Sequence, residues 1–414
     1  MKTRSLLMSI LCSLMIGTSF TTCGDDPFEI PDTSIITPSD DTNEESDSPT
    51  TDPSDDTNED PDSPTTDPSD DTNEDPNIPS SNPAEYGIYI LNEGTWGANN
   101  ANITQFTDNN KAENLSDIYL EVNGKQMGDV ANAMIEEDNK IYILMNGSKY
   151  VARLDMTTKE EARYTFSATE GEPRCMEVED GYVYVTQYGG QVSKINAKDM
   201  TLVSTFKGGD NLEGVVEKDG KLYVANSYKQ EGSGNFIYNK EVFVINAQTM
   251  VLESSIEVVD NPTKIFEIDD KIYLISAGNY ADVAGALQII DPKTGTSKII
   301  IKDATKITEG HNDMVYGIRS VYDENWQLTN SFFTYKPETG IVSETSFLKD
   351  APNSFETDAI YLLEIDEETG FIYIGTTDYK NTGTIYAFDK NGKLLHSFDS
   401  GGVNPSAMVF VELK

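Results

Sequence analysis

The residues of this chain whose types suit recognition chemistry fall in short polar stretches between runs of alternating apolar residues. The first stretch, NEGTWGANNA (92–101), carries Asn92, Glu93, Trp96 and Asn100. Later ones carry Asn146 with Ser148 and Lys149, Gln187 with Tyr188, Asn279 with Tyr280, and Thr377 with Tyr379. A longer insertion holds Asn226, Tyr228, Phe236 and Tyr238. A second set of connections adds Arg174, Glu213, His311, Asn312 and Asn404. Aromatic rings and amides with few charges offer large contact area together with directional hydrogen bonds, which suits a bulky, polar, neutral ligand. Asn and Gly in loops also serve turn geometry. The Asn-Glu-Gly run has the chemistry to cap its own loop. Trp96 and Tyr228 stand out, because a large ring in a loop needs a reason to be there.

Catalytic signatures are sparse. The chain has two histidines, His311 and His396, and His396 falls in an expected outer strand. There is no HExxH, no GxSxG, no Walker loop and no CxxC pair. A Ser-His-Asp set is unsupported. Glu93, Glu213 and Asp313 are the remaining acid–base candidates, in a chain where carboxylates are common enough to meet by chance. The residues therefore point to a binding module rather than an enzyme, with no metal and no cofactor. A lyase or hydrolase is the lesser alternative.

The elements that must position these residues repeat. The clearest unit is DGYVYVTQYGGQVSKINAKDMTLVSTF (180–206), with related copies at 219–256, 269–300, 138–166 and 369–398. Each reads as short alternating strands joined by tight polar turns. A tyrosine marks the second strand at Tyr89, Tyr142, Tyr184, Tyr223, Tyr273 and Tyr373. The last interval is twice the others and leaves room for a degenerate copy containing MVYGIRSVYDENW, which makes seven. Units of about 40–50 residues with four antiparallel strands are propeller blades. The first copy lacks an initial strand, and the terminal VNPSAMVFVELK (403–414) supplies one. The expectation is an all-β, seven-bladed β-propeller over 84–414, closed by the C-terminal strand so that no edge is exposed. B–C and D–A loops would then share one face around the channel mouth, which is the expected ligand face.

Ahead of this domain the composition changes. Residues 1–22 have a basic start (Lys2, Arg4) and an apolar run too short to span a bilayer, the pattern of a signal peptide. Residues 25–83 contain 20 Asp or Glu, no Lys or Arg, and three copies of an SDDTNE-type unit. Such a segment cannot bury enough apolar surface to fold and reads as a disordered acidic linker. It lacks the Gly turn and final Glu of an EF-hand loop. Without signal and linker, 28 basic residues face 51 acidic ones, a net charge of −23 for 84–414 against −41 for the chain. That balance argues against nucleic acid as a partner. Cys175 is the one cysteine of the expected domain, and a buried, inert thiol is the expectation for it.

Two resemblances add to this reading. FTTCGDD (20–26) resembles the lipobox of bacterial lipoproteins, with Phe20 and Thr22 departing from the usual residues. It implies lipidation at Cys23, and the acidic residues that follow resemble the surface-export signal of Bacteroidetes lipoproteins. The expected organisation is a lipoprotein signal over 1–22, a lipidated Cys and linker over 23–83, and the propeller over 84–414, lipid-anchored at the outer membrane and exposed at the cell surface. YVTQ and YVAN resemble the YVTN-type repeats of surface-layer propellers. YILNEGTWGANNANIT (89–104), GDVANAMIEEDNKIYILMNGSKYV (128–151) and EPRCMEVEDGYVYVTQYGG (172–190) resemble a family of Bacteroidetes lipoprotein propellers with an LNEG-type first loop. Some members capture cobalamin and pass it to a TonB-dependent outer-membrane transporter. The resemblance implies capture of a cobalamin- or corrinoid-type ligand, with such a transporter as partner. Protein or glycan adhesion is the alternative.

Overall fold

A computed structural model describes residues 86–412 except 107–114, 233, 234, 312 and 324. Cys23, the signal, the linker repeats and Asn312 lie outside the described residues. The strands form seven antiparallel sheets, and the first strands of neighbouring sheets lie against one another around an axis. This is the seven-bladed propeller. With strands lettered A to D outward, blade 2 spans 131–165, blade 3 173–207, blade 4 211–257, blade 5 262–302, blade 6 304–343 and blade 7 359–403. Blade 1 is made from both ends of the domain. Its B strand, Tyr86–Asn92, pairs with Asn102–Phe106 on one side and with the C-terminal Pro405–Glu412 on the other. Ile90 faces Met408 across that closure.

Seven apolar cores hold the ring, one at each blade–blade interface. The recurring tyrosine explains how. Tyr89, Tyr142, Tyr184, Tyr223, Tyr273 and Tyr373 are all buried, each packed into the core shared with the following blade. Tyr316 fills the same place in the degenerate sixth copy. Tyr373 meets Ile90, Phe106 and Met408, so the seventh interface joins the two ends of the domain. Burying each such ring is worth roughly 1.5–3 kcal/mol, which gives the repeat its signature.

The A–B turns are built for strand twist. Asp138-Asn139, Asp180-Gly181, Asp219-Gly220 and Asp269-Asp270 all have positive φ at both positions (51 and 59°, 51 and 77°, 52 and 78°, 49 and 61°). That is the type I′ pattern of two-residue hairpins. Blade 1 departs from the others. No fourth strand is described there, and a short helix, Ile118–Asn123, follows instead. Asp117 caps it by accepting from the Leu120 amide at 2.9 Å, and buried Tyr119 pins it to blade 2 by donating to Glu160 at 2.5 Å. Among the described residues no helix is long and apolar enough to cross a membrane.

Candidate ligand-binding mouth

Strand alternation puts every B–C loop and D–A connection at one end of the ring, and every A–B and C–D turn at the other. One device recurs at the first end. The A strands of blades 2 to 7 each shift register near their start, between Ala131 and Ala133, Pro173 and Met176, Leu212 and Val215, Pro262 and Lys264, Ala304 and Lys306, and Ile360 and Leu362. A bulge re-aims the side chains beside it. Here those side chains include Arg174, Glu213, Lys264, Lys306 and Tyr361, around the channel mouth.

On blades 3 to 5 the mouth is aromatic. Tyr188 and Tyr228 meet edge to face with centroids 5.9 Å apart, and Tyr228 meets Phe236 at 5.6 Å. Tyr238 meets Tyr280 at 5.6 Å. The long insertion of blade 4 carries this cluster. It is an extension of the B and C strands themselves, Lys221–Gln230 and Phe236–Asn246, in which Tyr228 pairs with Tyr238. A polar centre anchors the rings. Buried Glu213 accepts from the Tyr188 hydroxyl at 2.7 Å and from the Arg174 guanidinium at 3.4 Å, and that guanidinium lies 4.7 Å from the centroid of the Tyr188 ring. Burial, then the Glu213 carboxylate, holds the Tyr188 hydroxyl well above the usual phenol range. Tyr188 thus stays a neutral hydrogen-bonding phenol at any physiological pH. Tyr280 is 58% exposed and presents its ring to solvent at the rim.

Across the mouth, blades 1, 6 and 7 supply a second group. The Tyr361 hydroxyl donates to the Glu93 carboxylate, and Tyr361 meets Tyr379 edge to face at 6.0 Å. The Lys306 ammonium lies 5.5 Å from the Tyr361 ring centroid. Burial pushes Lys306 well below the ordinary lysine range; nearby Lys264 adds to the effect, and Glu93 and Glu364 oppose it. Tyr322 and Trp326, on the B–C connection of blade 6, form an exposed pair 6.3 Å apart, with Trp326 81% exposed.

The expected site residues divide on this geometry. Arg174, Tyr188, Glu213, Tyr228 and Tyr280 come together, and Glu93 and Tyr379 share the opposite wall. The amides of the other candidates are spent on structure. Asn92 donates to the Thr104 hydroxyl and the Ser400 carbonyl, both at 3.2 Å. Asn100 accepts from the Thr95 amide within its own loop at 2.8 Å. Asn146 donates across the blade 2–3 interface to the Pro173 carbonyl at 2.7 Å. Asn226 accepts from the Asp210 amide at 3.0 Å and donates to Glu241. Lys149 lies near Glu172 at 3.8 Å, and Trp96 is exposed without a described ring partner. His311 needs a correction. It follows Glu309 and precedes Val315, so it sits on the A–B turn of blade 6, at the end away from the mouth. The degenerate copy blurred the strand count there. Cys175 is buried, as expected.

The LNEG loop is a latch. Asn92 ties blade 1 to the end of blade 7. The Glu93 amide donates to the Asn404 carbonyl at 2.9 Å, and its carbonyl accepts from Ala131 of blade 2 at 3.0 Å. Gly94 has φ 82°, and a Cβ there would lie 2.7 Å from the Ala101 nitrogen, so only glycine fits.

The model of one protein family, described as a domain of unknown function (DUF5074), matches residues 86–300. The chain belongs to that family. The match covers blade 1's N-terminal strands and blades 2 to 4 entirely, and nearly all of blade 5. No curated protein matches. Among solved structures, the chain is similar to hydrazine synthase of Kuenenia stuttgartiensis, with 16% identity over 66% of this chain and 83% of that one and a TM-score of 0.48. It is also similar to the Pan2 WD40 domain of Neurospora crassa (11% identity, 68% and 88% covered, TM-score 0.46) and to a streptogramin B lyase (11%, 69% and 83%, 0.46). None of these likenesses bears on this chain's chemistry.

Five mouth residues were not among the sequence candidates: Lys264, Lys306, Tyr322, Trp326 and Tyr361. For Tyr322 and Trp326 a signal existed, since VYDENW follows the Tyr316 strand just as the other B–C loops follow theirs. The remaining three lie inside strands that read as apolar core.

Proposed function

We propose that this protein is a binding module whose mouth captures a bulky small molecule. The observation that carries the reading is the cluster of Tyr188, Tyr228, Phe236, Tyr238 and Tyr280 gathered over half-buried Arg174 and buried Glu213. Four of these five rings bear hydroxyls, so the wall offers both apolar contact and hydrogen bonds. The rings are fixed by strand pairing and mutual packing, which lowers the ordering cost of binding. In this reading the domain is lipid-anchored through Cys23, held off the cell surface by the acidic linker, and hands its ligand to a TonB-dependent transporter. Corrinoids are the ligand class the family resemblance implies.

Calorimetric titration of the full chain with cyanocobalamin and with cobinamide tests this. One-to-one binding weakened at least tenfold by Tyr228→Ala and by Tyr188→Phe is the expected result. Absence of heat at micromolar protein overturns the corrinoid assignment. Binding unaffected by either substitution overturns the location. The exposed Tyr322–Trp326 pair favours a second reading, a sugar-stacking rim for glycan adhesion. There, glycan retention is lost in Trp326→Ala and kept in Tyr228→Ala.

A further inference from the structure

We propose that Lys306 is a carbonyl-capturing amine, which takes an aldehyde borne on an aromatic or other apolar group into the channel mouth as an imine. This goes beyond the reading of the mouth as a non-covalent ligand face and is tested apart from it.

Register places the residue. Lys306 pairs with Ile318 directly beside the bulge of the blade 6 A strand. Blades 1, 2 and 7 hold Ala407, Ala133 and Leu362 at the same position. Strand alternation puts Lys306 on the same face as Thr308, and the Thr308 hydroxyl donates to Glu364 of blade 7 at 3.4 Å. Lys306 reaches the same neighbouring strand. Its Nζ lies 5.5 Å from the centroid of the Tyr361 ring, and that ring meets exposed Tyr379 edge to face at 6.0 Å. The amine thus ends beside the rings of one wall of the mouth.

Lys306 is half-buried, and among the described residues its Nζ forms no hydrogen bond and no ion pair within 4.0 Å. Lys264, its counterpart on blade 5, differs in donating to the Thr305 carbonyl at 3.1 Å. The acids that act on Lys306 compensate it weakly. Glu93 accepts from the Tyr361 hydroxyl, and burial favours the neutral form of Glu364. An ammonium withdrawn from water without a counter-ion gives up its proton readily. The neutral amine left behind is a nucleophile for carbonyl carbon. In the capture step the Nζ lone pair forms a bond to the carbonyl carbon, and the carbonyl π pair moves onto oxygen. That oxygen takes both Nζ hydrogens and leaves as water, while the nitrogen lone pair closes the second bond of the imine. Nothing is oxidised or reduced, so no co-reactant is needed. The Tyr361 and Tyr379 rings favour an apolar or aromatic group next to the carbonyl.

Labelling of the full chain at pH 7 with benzaldehyde and sodium cyanoborohydride tests the inference. The reductant delivers hydride to the imine carbon and water supplies a proton to the nitrogen, so a benzyl group stays on each lysine that formed an imine. Peptide mapping by mass spectrometry follows the label at every lysine. At pH 7 an ordinary lysine is neutral in only about one molecule in 2,500. Lys306 is therefore expected to take the label at least about tenfold faster than Lys271 at the other end of the ring. Lys306→Met should abolish the fast site and leave labelling of Lys271 as it was, with a thermal melt and circular dichroism confirming that the variant is folded. If the variant fails to fold, the wild-type map decides alone. Equal rates at Lys306 and Lys271, or no label on Lys306, overturn the inference. Fast labelling of Lys306 without any corrinoid binding leaves the inference standing and removes the ligand assignment. Corrinoid binding without preferential labelling of Lys306 does the reverse.

Discussion

Replacing Glu309 by glutamine should stabilise the domain at pH 8 and leave it unchanged at pH 5. Glu309 ends the A strand of blade 6, at the end of the ring away from the mouth. Burial raises its pKa from an ordinary 4.5 to about 7, with Glu367, Asp269 and Asp313 adding repulsion. The folded state therefore holds this proton more tightly than the unfolded chain does. Its stabilising contribution is complete below about pH 4.5 and is lost as the pH rises through 7. At 1.36 kcal/mol per pH unit the full gap corresponds to about 3.4 kcal/mol. Glu309 keeps part of its solvent contact, so screening reduces the realised effect to roughly 1.5 kcal/mol. Glutamine keeps the shape and cannot ionise. With an unfolding entropy of about 2.1 cal/mol/K per residue over some 330 residues, roughly 1.5 kcal/mol moves the melting temperature by about 2 °C. Scanning fluorimetry of wild type and Glu309→Gln at pH 5, 6, 7 and 8 reads this directly. The gap between the two proteins should open from about pH 4.5 upward, be nearly full at about pH 7 and stay level above it. Parallel curves, or a variant less stable at pH 8, would refute the assignment of a buried, proton-holding carboxyl at the channel end.

Two further outcomes follow from the ring itself. Asn146→Ala should cost about 1–3 kcal/mol in denaturant unfolding, because it orphans the Pro173 carbonyl across the blade 2–3 interface; ligand affinity measured calorimetrically should stay unchanged, since that amide faces a neighbouring blade. Deleting 405–414 removes the A strand of blade 1, bares the Tyr86–Asn92 edge and takes Met408 from the closing core; loss of a single cooperative melt, with aggregation seen by light scattering, is the expected readout.

What the sequence made legible was whatever repeats. Tyr142, Tyr184, Tyr223 and Tyr273 recur because each blade must fill the same gap against the next one, so periodicity alone located the cores and counted the blades. The same regularity misleads about sites. Asn92, Asn146 and Asn226 recur at the ends of B strands and look like a binding set, yet each meets a demand every blade shares, the satisfaction of buried backbone or loop groups at its upper end. His311 was placed on the wrong face because the sixth copy is the least regular, and a strand misjudged by one element exchanges top for bottom. Lys264 and Lys306 were invisible for the opposite reason. A strand pattern treats a single lysine in PTKIFEI or ATKITE as an outward-facing interruption, whereas pairing, which composition does not reveal, sets each directly beside the bulge of its A strand. In a propeller the informative residues are therefore those that break the repeat at a position where the other blades agree. By that test Lys264, Lys306 and Tyr361 break the repeat where the asparagines keep it, and Lys264 and Tyr361 still serve the ring, through the Thr305 carbonyl and the Glu93 carboxylate of other blades.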